Sequence, residues 1–122
     1  MKQFTPKEAS RMLPLVRRIV EDILLAGKEL RELVQELEHK VQGNPEFESK
    51  VRTINSYFSE LEELGCYYKD WNFTIGLVDF PAVIDNEEVL LCWRSDEDNL
   101  QFYHGIEEGF AGRKQIPAEL LD

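Results

Sequence analysis

Four side chains in the C-terminal half are of types that bind cations or move protons: Asp79, Cys92, Arg94 and His104. A carboxylate, a thiol, a guanidinium and an imidazole within a few ångströms of one another could bind a small ligand, hold a divalent metal or run acid–base chemistry. Glu107 and Glu108 follow His104 and add carboxylates, so Asp79, His104 and Glu108 are the expected donors for such an ion. No diagnostic spacing joins these residues. A plainer reading therefore stands beside this one and is the more ordinary: a cross-strand Asp79–Arg94 ion pair, a small buried Cys92 and a histidine that ends a strand.

Gly105, Gly109 and Gly112 could shape a backbone nest for an anion, with Arg113 and Lys114 adding charge. Two glutamates inside this stretch, and no strand-then-helix order around it, favour a structural loop that carries Phe110 into the core. Glu36-Leu37-Glu38-His39 has the Glu-x-x-His spacing of di-iron bundles, but it occurs once and off the apolar stripe, so that centre is excluded.

The elements that must position these residues follow from the pattern. Thr5-Pro6-Lys7-Glu8 reads as a capping box with proline at the first helical position. Pro14 removes a backbone bond and should kink or break the helix, leaving a short leading helix. From 14 to 41, apolar residues recur three and four apart, which predicts an amphipathic helix on the order of 40 Å long. Gly43-Asn44-Pro45 stops it. A second helix over 46–64 carries Phe47, Val51, Ile54, Phe58, Leu61 and Leu64 and ends at Gly65.

A tight connection makes the pair an antiparallel, coiled-coil-like hairpin. The second arm is shorter and leaves Met12, Leu15, Val16, Ile19 and Val20 to be covered by the C-terminal half or by a second copy. Beyond Gly65, a short aromatic stretch at 66–69 precedes three expected strands over 77–84, 89–94 and 100–104. Pairing the first two around Asn86 puts Val78, Phe80, Ala82 and Ile84 on one face with Val89, Leu91 and Trp93. The reverse face then carries Asp79, Cys92 and Arg94, joined in an even register by Leu100, Phe102 and His104. An irregular loop over 105–116 and a short acidic tail complete the chain.

The 122 residues carry a net charge of −10, which opposes a nucleic-acid partner, since the few bases are scattered among acids along the helices. Those mostly acidic faces also suit a membrane surface poorly. Neither an apolar run long enough to span a bilayer nor a signal-peptide pattern is found, so a cytoplasmic protein with Cys66 and Cys92 reduced is expected.

The chain also resembles a known group, the domain of unknown function 2203 family, described as uncharacterised bacterial proteins. The resemblance lies in Phe4-Thr5-Pro6-Lys7-Glu8-Ala9, Leu13-Pro14-Leu15, Leu64-Gly65, Gly76-Leu77-Val78-Asp79-Phe80-Pro81-Ala82, Leu91-Cys92-Trp93-Arg94, His104 and Gly109-Phe110-Ala111-Gly112-Arg113. Tyr103 stands where that family is expected to carry a tryptophan. The resemblance implies a small cytoplasmic protein and gives no position a catalytic or ligand role.

The expectation is one α+β domain over 1–122. A helical hairpin over 5–64 carries a small three-stranded antiparallel subdomain over 66–116. Its expected function is a non-enzymatic assembly module that forms a homodimer through the hairpin. The alternative is a ligand or divalent-metal site on the polar face of the sheet, using Asp79, Cys92, Arg94, His104, Glu108 and Arg113.

Overall fold

The computed structural model describes residues 2–70 and 72–122. Helix α1 spans Pro6–Glu36 and helix α2 spans Pro45–Leu64. Thr5 caps α1 as the sequence predicts: its hydroxyl accepts from Glu8 N at 3.1 Å, and the Glu8 carboxylate accepts from Thr5 N at 2.9 Å. Those hydrogen bonds hold the exposed Glu8 carboxyl below its usual range. Asn44 caps α2 by accepting from Phe47 N, and Gly65 ends it in the left-handed region at φ 99°.

Two expectations for the first helix are corrected. Pro14 lies inside α1 and does not separate a leading segment. It is exposed, so the Ser10 carbonyl it leaves without a donor is on the wet side of the helix. Burial of Leu13, Val16, Ile19 and Val20 on the other side outweighs the roughly 3 kcal/mol such a proline costs. The helix also ends at Glu36 instead of 41, because Glu38 and His39 take positive φ values of 53° and 66°.

The C-terminal half forms one antiparallel sheet of five strands, not three, in the order β1-β2-β3-β4-β5. These are Tyr67–Tyr68, Leu77–Ile84, Glu87–Arg94, Phe102–Gly105 and Lys114–Gln115. The two added strands have two residues each and exist through pairing with a longer neighbour: Tyr67 with Asp79, and Tyr103 with Lys114. Asp85 and Asn86 both take positive φ, as a two-residue hairpin turn requires.

The register of β2 on β3 is Val78↔Trp93, Phe80↔Leu91 and Ala82↔Val89. This places the expected apolar face inward. It packs with Val16, Val20 and Ile23 of α1 and Leu61 of α2 in one buried cluster. The guanidinium of Arg17 lies 5.0 Å from the Trp93 ring centroid and donates to the Glu97 and Asp98 carbonyls, fastening α1 to the β3–β4 connection. Leu100 departs from expectation. It precedes β4 and is buried in this apolar cluster instead of joining the reverse face.

The helices pack on one another, with Lys50 Nζ 3.9 Å from Glu29. Cys66 and Cys92 are free thiols. No helix among the described residues is long and apolar enough to cross a membrane.

Gly76 immediately precedes β2 and lies against α1. A Cβ there would lie 2.3 Å from Val20 Cγ1, and Val20 is fully buried. Gly76→Ala is therefore expected to lower unfolding free energy by about 1–3 kcal/mol in urea titrations. Gly109→Ala, which meets nothing within 4 Å, should stay within about 0.5 kcal/mol. Equal effects would mean that the helix–sheet approach is not tight.

Candidate metal centre

The alternation that buries Phe80 and Leu91 turns Asp79 and Cys92 to the reverse face, where they are directly paired across β2 and β3. On the next strand, Phe102 pairs with Cys92 and His104 with Leu90. His104 thus stands two pairs along from Cys92, on the same face, and reaches over β3 toward Asp79. The short cysteine on the middle strand leaves room for that reach. Donor atoms of Asp79, Cys92 and His104 all lie within 4.8 Å of one another. All three residues are buried, at 5 %, 2 % and 4 % exposure.

The hydrogen bonds fix the histidine tautomer. His104 Nδ1 is 2.9 Å from the Gly105 carbonyl, which can only accept, so Nδ1 carries a proton. In the neutral ring Nε2 then presents a lone pair, and it lies 3.4 Å from Asp79 Oδ1. Two acceptors face each other in a buried site, an arrangement that needs a cation between them, either a proton or a metal ion. A backbone carbonyl orienting one imidazole nitrogen so that the other can coordinate is the usual outer arrangement at metal sites. Zinc bonds of about 2.0–2.1 Å at tetrahedral angles place nitrogen and oxygen donors roughly 3.3 Å apart, close to the observed separation.

Burial is the largest influence on Asp79 and pushes its carboxyl above the usual carboxylate range. The neighbouring His104, Lys69 and Cys92 act the other way. Burial and the neighbouring Asp79 carboxylate push the Cys92 thiol up to about 12. Burial and a neighbouring carboxylate are the opposite of what activates a thiol as a nucleophile. Cys92 is still a competent ligand, because a bound cation displaces the thiol proton.

The remaining expected site residues lie elsewhere or act differently. Arg94 does not meet Asp79. It pairs with Asp96 two residues on, through Nε at 2.6 Å and a second bond from its terminal nitrogen. Neither the expected Asp79–Arg94 pair nor a role for Arg94 in the cluster stands. Glu108 borders the same cavity, but its carboxylate accepts from Gly105 N at 2.9 Å, so Cys92 replaces it as third donor. Gly105 and Gly112 admit this carboxylate, since a Cβ on either would come within 2.8 Å of Glu108. Glu107 is exposed.

Arg113 shapes no anion nest. It is paired with Glu97 at 2.6 Å, lies over the Phe102 and Phe110 rings, and donates to the Cys92 carbonyl at 3.1 Å. It buttresses the strand that carries Cys92. Phe110, 41 % exposed, is not carried into the core.

Sequence reasoning missed Glu97, whose carboxylate also accepts from Arg94 N, and the residues that wall the site. A cavity of about 260 Å³ is lined by Asp79, Cys92 and His104 together with Lys69 and Ile106. A larger cleft of about 640 Å³ shares Asp79, Lys69, Leu90 and Ile106 and extends to Pro81 and Glu88. Tyr67 pairs with Asp79, so alternation puts Tyr67 and Lys69 on the face of Asp79. That parity was readable once 66–69 was recognised as β.

Compared with known proteins, the sequence matches the family described as an uncharacterized conserved protein (DUF2203) over residues 2–116. No curated protein matches, and no solved structure matches. A match that leaves out little more than the last six residues takes in both helices, all five strands and the Asp79, Cys92 and His104 cluster, and the chain belongs to the DUF2203 family.

Proposed function

We propose that this protein binds one divalent transition-metal ion, with zinc the best fit, through Asp79, Cys92 and His104. The observation that carries the reading is the His104–Asp79 contact, in which an imidazole lone pair and a carboxylate oxygen face each other at 3.4 Å in a buried site. Mixed nitrogen, sulfur and oxygen donors favour zinc over calcium or magnesium, which take oxygen alone. Three protein donors leave a fourth tetrahedral position for water or a ligand, the pattern of zinc sites that do chemistry rather than only stabilise a fold.

Within the same proposal, the helices form an antiparallel hairpin that carries the sheet. The packing of α1 on α2 and the Lys50–Glu29 contact support that arrangement. The case for a homodimeric assembly module rests on an uncovered stripe along α1. Val16, Ile19 and Val20 are buried with sheet residues of the same chain, so the geometry favours the metal centre over an assembly role.

Titration of metal-free protein with zinc should give one ion per chain. Cys92→Ser and His104→Ala should each weaken binding by about 100-fold or more. With cobalt as the probe, the sulfur-to-metal absorption band should vanish in Cys92→Ser. Wild-type protein that takes up no zinc, or variants that bind it as tightly as wild type, would overturn the reading.

The pH dependence has two opposite signs. Because the folded-state carboxyl of Asp79 is raised, the native metal-free protein holds its proton more tightly than the unfolded chain. Stability from this group is therefore full below the ordinary carboxylate range and lost as pH rises through the raised value. Zinc affinity runs the other way: the Cys92 thiol must lose a proton, so log K should rise by about one per pH unit between pH 6 and 8. Asp79→Asn, a neutral isostere whose amide can donate to His104 Nε2, should raise metal-free stability at pH 8 by about 1 kcal/mol and abolish zinc binding. Chemical denaturation at pH 5 and 8 with and without zinc checks both signs.

A further inference from the structure

The two cavities on the reverse face share Asp79, Lys69, Leu90 and Ile106, so the metal centre opens onto the larger cleft. That cleft, about 640 Å³, is of the size that holds small organic molecules. Pro81, Leu90 and Ile106 give it apolar lining on the reverse face. Ile106 is 53 % exposed, an apolar side chain that a bound molecule would cover. Lys69 is the cation shared by both cavities, and its ammonium has no ion-pair partner among the described residues.

Charge is therefore polarised along the cleft. The metal end carries the ion and Lys69. Glu88 lies four residues from Cys92 along β3, about 13 Å at the usual strand rise, and puts a carboxylate at the far end. In a chain of net charge −10, an anion enters where a local cation receives it.

We propose that the cleft takes a small monocarboxylate with an extended apolar body. Its carboxylate fills the open position on the ion and pairs with Lys69, and its chain runs along Pro81 and Leu90 beneath Ile106. A dicarboxylate of the same length is rejected because its second charge meets Glu88. The proposal rests on the metal reading above and names the ligand of that same site.

The test is calorimetry on the zinc-loaded full chain, with octanoate, octanol and octanedioate as probes and zinc content measured on every sample. Octanoate should bind at least about tenfold more tightly than either comparison compound, the size expected of a charge-assisted contact. Lys69→Met should weaken octanoate about tenfold or more, and Lys69→Arg should restore most of the loss, which separates a charge effect from altered folding.

Protein that holds zinc but binds octanoate no better than octanol, or in which Lys69→Met changes nothing, overturns this proposal and leaves the metal reading intact. Protein that holds no zinc overturns both.

Discussion

The register of β2 on β3 is the constraint on which everything else depends. Phe80 opposite Leu91 and Val78 opposite Trp93 give an apolar face, and the Trp93 indole nitrogen donates to the Glu97 carbonyl. That face closes on α1. A slip of one residue would turn Asp79 and Cys92 into the apolar core and send Phe80 to solvent, an exchange costing several kcal/mol for the burial terms alone. The polar cluster is thus positioned by residues that never touch it. Its precision is inherited from the packing of Val20, Trp93 and Phe80.

Placing a carboxylate, a thiol and an imidazole together under cover does not help the fold. A buried carboxylate beside a lone pair is unfavourable unless a cation intervenes, and apolar residues of similar size would fill these positions without that penalty. The sheet could accommodate leucine or valine at 79 and 92, as it does at 90. Polar residues held at a cost to stability point to a site used for binding. The direction of the Asp79 shift agrees, since burial outweighs all the attractive neighbours together.

The parts of this arrangement that were legible in the sequence are those with a repeating signal. The capping box at Thr5, the stripe through α1 and α2, and the alternation of β2 and β3 are periodic or local, and each is present, although α1 stops at Glu36, short of the end of its stripe at 41. The misreadings have particular causes. Strands β1 and β5 have no periodicity to display in two residues, and they exist because a neighbour's edge is available. Pro14 announces a break, but its cost is local while the burial that overrides it comes from the sheet. Strand parity sets Arg94 beside Asp79, whereas a turn two residues later brings Asp96 into bidentate reach. Nothing in the spacing of Glu108 reveals that it closes the turn after β4 and is not a donor.

The charges on the reverse face then sort themselves by whether they are already engaged. Arg94 is held by Asp96, Arg113 by Glu97 through its terminal nitrogen, and Glu108 by the Gly105 amide; each is engaged within its own neighbourhood. Asp79 and His104 have each other, in a contact whose tautomer leaves two acceptors face to face, and Cys92 beside them is kept protonated by burial. Lys69, with no ion-pair partner among the described residues, adds a cation at the mouth. Groups engaged by their neighbours stabilise loops, whereas groups whose mutual contacts are incomplete have capacity left for a ligand. By that criterion the sheet's reverse face divides in two. The Arg113–Glu97 side braces β3, and the Asp79–His104 side is where an ion, and the molecule that completes its coordination, would be received.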